Sequence, residues 1–457
     1  MGSKNKQPTI QELALSFINY PIRINNFPNL LVPKDDLLFH ENESCFYFWT
    51  GEYWRIVDER DQKTGEFARI LYNFLLSEFK DSINITFTLV QNLKTAIVNF
   101  FPKRFSSLHQ SHYTAFKDMS FCWDTMSFVP TIKEHYAFHY YPFTTQEIYS
   151  CQTPVFDYYI NSSFPEDTQS MNKFLEEMIG YYLSPSQEPH IFFLHGRART
   201  GKSVFLDLLS MLVGDQFVSS YSLQSLTEDK YIIAELAGKR VNIKDEDESK
   251  YIDGGKLKAI SSHRKTEAQR KFGNPFNMYP QTKMIFASNQ LPKFKSIDDG
   301  TQRRINFIYF GTPIEKEKQD KNLLNKLEFE LPGIIRKAML EGAKRFYENN
   351  EEFDLPATIV NANKEFIQES SSAVMFFYEY FKVDPDLDVD KYYPSDEIYR
   401  LYRGWCEENG KQAMASNVFH RALSEQDEMI KTVVKGNKKF KNAILVKDIY
   451  GTQGTPI

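Results

Sequence analysis

One string constrains this chain more than any other: I-F-F-L-H-G-R-A-R-T-G-K-S-V-F-L-D-L-L, from Ile191 to Leu209. Ile191–Leu194 is a short apolar run of the kind that forms a buried strand. Val204, Phe205, Leu208, Leu209 and Leu212 recur at helical spacing until Gly214. Between them, Gly196 to Ser203 satisfies G-x-x-x-x-G-K-[ST] in full. Glycines let such a loop curl so that backbone N–H groups point at a triphosphate. Lys202 then reaches the β- and γ-phosphates, and the Ser203 hydroxyl holds Mg²⁺. The following helix adds the positive end of its dipole. The expected nucleotide-binding set is Gly196, Arg197, Ala198, Arg199, Thr200, Gly201, Lys202, Ser203 and Val204, with ATP and Mg²⁺ as ligands.

A loop of this kind needs an acidic element to hold the metal and position water. The run Val241-Asn242-Ile243-Lys244 ends in four consecutive carboxylates, Asp245 to Glu248. Asp245 is assigned to the metal and Glu246 to the activation of water. A further strand, Lys283–Ala287, ends in Ser288-Asn289. An amide at the C-terminal end of a parallel strand sits where such sheets bind ligands, so Asn289 is expected to orient the attacking water. Arg303 and Arg304 stand just before another strand, Ile305–Phe310, placed to reach into a neighbouring subunit's γ-phosphate.

Alternating short apolar strands and helices run from His190 to about Phe310, the pattern of an α/β core with a mainly parallel sheet. At 457 residues the chain has room for two to four domains. Before the core, two aromatic runs flank Thr50-Gly51-Glu52 as a hairpin, and helical stretches cover 67–79, 88–100 and 167–183. After it, helices fill 315–349 and a linker lies near 350–358. Ser395 is placed to cap a helix reaching Asn409-Gly410, and Ser416 a second. Strand-like runs 429–434 and 443–446 then flank a basic tip, 435–441. Helix, helix, basic wing is the order of a winged-helix module, with Lys438 and Lys439 facing DNA. The Asp384–Asp390 run has aspartates at every second position but lacks the glycine and final glutamate of a calcium loop, and reads as an acidic turn.

A net charge of −5 excludes a chain that is basic throughout, but a local basic stripe serves nucleic acid equally well. The four cysteines form no CxxC pair or zinc knuckle, which suits reduced thiols in a cytosol-like compartment. No apolar run spans a membrane, and residues 1–6 lack the apolar stretch of a signal peptide.

Taken in order, G-x-x-x-x-G-K-S, K-R-V-x-I-x-D-E, a basic stretch, I-F-A-S-N-x-L-P and R-R-I-x-F-I-x-F resemble a superfamily 3 helicase. More narrowly, they resemble the helicase half of phage and plasmid primases and of the poxvirus primase-helicase. Tyr141–Thr144, Phe174-Leu175, Gly180–Leu183, Glu330–Ile334 and Ser395–Leu423 share the likeness. The resemblance implies an AAA+-like P-loop NTPase core at 188–349, a helical lead-in at 156–187, a mixed α+β accessory or collar domain at 1–155, and a linker with a winged-helix domain at 350–457. It implies a ring, a hexamer in most of the family, that translocates on single-stranded or forked DNA during replication of a phage, plasmid, virus or other mobile element. Lys202, Ser203, Asp245, Glu246 and Asn289 would act in cis, and Arg304 or Arg303 in trans. The family's DNA-tracking hairpin corresponds to residues 265–276, which points to Arg270, Lys271 and Phe272. Two departures stand out: Thr200 replaces an asparagine common in the family's loop, and Arg197 and Arg199 make the loop basic. No primase-type pair of acidic strands is visible, so a separate primase partner is expected. The alternative is an ATP-dependent origin-binding initiator or a remodelling ATPase without processive unwinding.

Overall fold

The computed structural model describes residues 7–19, 22–24, 27–32, 36–40, 45–57, 65–100, 104–105, 111–247, 249, 252–270, 275–289, 292, 294–296, 299–314, 319–370, 372–384, 386–426, 430–436 and 438–446. Its centre is a five-stranded sheet of β1 (Ile191–His195), β2 (Val218–Ser219), β3 (Val241–Lys244), β4 (Lys283–Ser288) and β5 (Ile305–Tyr309), in the order β2-β3-β4-β1-β5. Every neighbouring pair is parallel. Parallel strands need crossovers that cover both faces, which is why the middles of β1, β3, β4 and β5 are buried on both sides. On β1, Phe192 and Leu194 enter one core with Ile285, Ala287 and Ile308. Ile191 and Phe193 enter the opposite one with Met284, Phe286 and Phe307.

The first face is closed by helices α1 (Pro154–Ser163), α2 (Thr168–Leu183) and α3 (Lys202–Val213), through Ile160, Phe174, Phe205 and Leu209 among others. Helix α4 (Gly254–Ser261) covers the second with Leu257 and Ile260. Helix α5 (Ala357–Ser370), beginning inside the stretch expected as linker, packs on the edge strand β5. The Phe307 N–H donates to Asn363 Oδ1 at 2.8 Å, and the Phe366 ring lies 4.1 Å from that of Phe307.

Helix α2 also crosses the helical segment 331–348, which contains a π-helical turn at Lys337–Gly342. The crossing is backbone against backbone. A Cβ on Gly180 would lie 2.4 Å from Ala338 O, and one on Gly342 2.1 Å from Glu176 O. Arg345 ties the two helices by ion pairs to Glu176 and Glu177.

Upstream, a four-stranded sheet spans 113–141, and its Phe116, Phe121, Trp123 and Tyr141 share the core of α3. Its far side meets the N-terminal region, where the Trp54 N–H donates to Ala137 O and its indole to Lys133 O. That region has its own core between helices Ile10–Ile18, Glu66–Phe79 and Phe87–Phe100 and a four-stranded sheet. The expected hairpin is present, with Cys45–Trp49 antiparallel to Trp54–Ile56 and Gly51 at φ +103° in the turn.

The C-terminal unit has its own core, with Phe376, Tyr402, Trp405 and Phe419 at its centre. Two expectations are corrected there. Ser395 is the first residue of the Ser395–Glu408 helix rather than its cap, and among the described residues its buried hydroxyl has no partner. The hairpin arms are Thr432–Lys435 and Lys438–Lys441, while Ala443–Leu445 pairs instead with Phe381–Val383. Three lysines in four residues hide the second arm. It forms because Lys441 turns inward, donating to the Ser424 and Thr432 hydroxyls, while Lys438 and Lys439 stay exposed.

Candidate nucleotide-binding site

The loop between β1 and α3 lies at the C-terminal edge of the sheet, where the ends of β3, β4 and β5 converge. Gly196 leaves β1 at φ +140°, against the Phe310 backbone, and a Cβ there would sit 2.1 Å from Phe310 O. Gly201 enters α3 at φ +97°, under the Tyr159 ring of α1. The Tyr159 hydroxyl donates to Gly201 O at 2.8 Å. Thr200, buried, donates to Arg197 O at 2.9 Å and closes the loop from within. No side chain caps the start of α3, so its first N–H groups face the loop, the arrangement that receives anions at helix N-termini.

Lys202 is buried at 8 % exposure and folds back into this cradle. Its Nζ donates to Gly196 O and Arg197 O at 2.8 Å each, and to Asn289 Oδ1 at 3.4 Å. Burial holds the ammonium below the ordinary lysine range, and the Asp245 charge works in the opposite direction. The structure therefore brings Lys202, at the start of α3, together with Asn289 and Asp245 from the ends of β4 and β3. Ser203 is exposed at the start of α3, and Asp245 is half-buried at the end of β3. A hydroxyl and a carboxylate in these positions are hard oxygen donors of the kind Mg²⁺ takes beside a phosphate.

The carboxylates after β3 do not play one part. Glu246 is exposed at φ +51°, its N–H bonded to Asp245 Oδ1 at 2.8 Å. Asp247 turns away into the protein. Its Oδ2 accepts the Leu223 N–H at 2.7 Å, its Oδ1 the Ser249 N–H at 2.8 Å, and its own N–H donates to Ala287 O. It pins the acidic turn to β4. Glu248 lies outside the described residues.

Two residues near the site carry weaker sequence signals. Tyr159 looks like any aromatic in an amphipathic helix. Asp207 stands one helical turn after Ser203, on the same face of α3, and that spacing could have flagged it. Burial and the Asp245 charge push its carboxyl up.

The arginine pair separates. Arg304 donates to Gly300 O and, at 3.1 Å, to Ser262 Oγ, tied within its own subunit, whereas Arg303 is exposed. The basic hairpin is Thr266–Gln269 paired with Pro275–Met278, rooted in the core by Ala268 and Met278. Arg270 lies over the Phe276 ring at 5.6 Å. Lys271 and Phe272 fall outside the described residues. At the far end of α3, His139 Nε2 bonds Val213 O at 2.8 Å and the Tyr141 hydroxyl donates to Leu212 O at 2.6 Å. Burial and the Arg240 charge push the His139 imidazole well below its ordinary range, against the Val213 hydrogen bond.

These features place the chain among mixed α/β proteins with a parallel sheet of five strands and a glycine-framed loop at its C-terminal edge. Residues 194–304 match a family of unknown function, DUF5906, and residues 369–450 match the family described as Poxvirus D5 protein-like. A protein of Acanthamoeba polyphaga mimivirus described as a candidate helicase, L207/L206, is 28% identical over 167 residues. The match covers 35% of this chain and 17% of the viral protein. Apo structures of the NrS-1 C-terminal region cover 90% of this chain and 96% of their own. The identity is 13% at a TM-score of 0.46 in one, and 12% at 0.42 in another. The resemblance to superfamily 3 helicases of the primase-helicase type, first visible in the motifs, is supported by the poxvirus family match and the mimivirus relative. Among the described residues, no helix is long and apolar enough to cross a membrane.

Proposed function

We propose that the chain is an ATP-dependent DNA helicase of the superfamily 3 primase-helicase type, with an AAA+-like P-loop core, working in replication of a mobile element or virus. The observation that carries this reading is the convergence on Lys202: a glycine-framed loop holds its ammonium, and Asn289 and Asp245 approach from the ends of β4 and β3. Lys202 would bind the β- and γ-phosphates. Ser203 and Asp245 would hold Mg²⁺, which spreads the charge of the phosphates when bound. Glu246, exposed beside them, would take the proton of the attacking water, and Asn289 would orient that water.

Arg303, which is exposed, would enter the γ-phosphate site of the next subunit in a ring. The hairpin with Arg270 would follow the phosphate backbone of single-stranded DNA inside that ring. The C-terminal unit would serve as a winged-helix module, with Lys438 and Lys439 toward duplex DNA and priming left to a separate protein. Strand displacement on a forked duplex tests the whole. Lys202→Ala is expected to lose both hydrolysis and unwinding. Arg270→Ala is expected to hydrolyse ATP but unwind slowly. Wild-type protein that hydrolyses ATP yet never displaces a strand would support the initiator or remodelling role instead.

A further inference from the structure

The phosphate loop carries two guanidinium groups whose use the scheme above leaves open. Arg197 and Arg199 are both exposed, and among the described residues neither guanidinium has a hydrogen-bond or ion-pair partner. Their backbones, by contrast, are fixed. Arg197 O is turned inward to Lys202 Nζ and the Thr200 hydroxyl, and Arg199 O accepts the Ile314 N–H at 2.9 Å. Arg199 also sits at φ +64°, in the left-handed region. The loop's other left-handed positions, Gly196 and Gly201, are glycines, which adopt that conformation without strain. An arginine held there, three residues before the lysine inside the loop, is strain stored at the mouth of a phosphate site. A planar, always-charged fork is also the side chain best matched to phosphate oxygens.

We propose that Arg199 is a cis arginine for the γ-phosphate, giving each subunit a basal hydrolytic activity that does not depend on its neighbour. This rests on the nucleotide reading above. In the step it assists, the water oxygen bonds to the γ-phosphorus and the bond to the β–γ bridging oxygen breaks. ADP leaves with that electron pair, and the water's proton passes to Glu246. The Arg199 guanidinium neutralises charge on the equatorial oxygens while this happens, and Arg303 from the next subunit adds to the rate on assembly.

The test is made in the whole 457-residue chain carrying Arg303→Ala, which removes the neighbour's arginine. That variant is expected to keep a slow turnover without DNA. Adding Arg199→Gly should lower this turnover about 10- to 100-fold, weaken ATP binding, and leave ADP binding unchanged by calorimetry. Arg199→Lys should restore part of the rate. Glycine suits the backbone at this position, so the melting temperature should hold or rise, which separates chemistry from folding. The proposal is overturned if Arg303→Ala has no measurable turnover, or if Arg199→Gly leaves its rate unchanged. A loss confined to the DNA-stimulated rate also overturns it, and assigns the guanidinium to a DNA backbone. Failure of the underlying reading looks different: Lys202→Ala would hydrolyse ATP at the wild-type rate.

Discussion

Gly196 shows how little freedom single residues have at the site. Any Cβ there meets Phe310 O, and the φ of +140° excludes other side chains at low energy. Gly196→Ala is expected to cost about 2 kcal/mol and to abolish nucleotide binding, read by urea unfolding and by titration with ATP. Glu246 and Asp247 are adjacent in sequence and opposite in consequence. Glu246→Gln should cut turnover at least about 100-fold with nucleotide binding and stability kept. Asp247→Ala should cost about 1–3 kcal/mol by stranding the Leu223 and Ser249 N–H groups. If both variants unfold alike, Glu246 is structural and the assignment of the base is wrong. The motif named Lys202 and Asn289 because strand-end spacing is visible in a sequence. It gave no sign that Asp247 turns inward, because that depends on the buried Leu223 N–H, which lies far away in sequence.

At the scale of elements, periodicity was informative wherever burial is regular. The apolar run of β1 and the helical stripe of α3 were legible because each is covered by a continuous layer. The second arm of the C-terminal hairpin was not, because its strand character rests on one buried lysine. That lysine gives the unit a pH dependence. Burial, with the Lys439 charge, lowers Lys441 to about 8, below the usual lysine value of 10.5. Between these values the unfolded chain holds a proton that the folded chain does not, so stability rises with pH across that window. Urea unfolding at pH 8 and pH 10 should show this rise, and Lys441→Met should flatten it. The crossing of α2 over 331–348 is the other element-level device. Gly342→Ala should cost about 1–3 kcal/mol, since its Cβ would press on the Glu176 carbonyl, whereas Gly410→Ala, with nothing nearby, should lose only the small strain of φ +61°.

At the scale of the whole molecule, α3 is held at both ends. Its N-terminus follows the Gly196–Gly201 loop, and its C-terminal carbonyls are bonded by His139 and Tyr141 of the 113–141 sheet. That sheet in turn bonds Trp54 of the N-terminal region. If the proposed function holds, a subunit braced in this way would pass nucleotide-driven work to the contact between subunits. On the proposed function, each copy would present Arg303, which is exposed, to its neighbour and receive the same residue at its own Lys202 cradle, the head-to-tail arrangement that closes into rings. Mixing tests this directly. Lys202→Ala subunits have no working cradle but carry a working Arg303, and Arg303→Ala subunits have the reverse. Each alone should stay at or below the basal rate. In an equal mixture, about a quarter of the contacts pair a sound cradle with a sound arginine, and DNA-stimulated hydrolysis should recover to roughly that fraction of wild type. A mixture that never exceeds the mean of its two components would show that Arg303 acts within its own subunit, and that the site is complete without a neighbour.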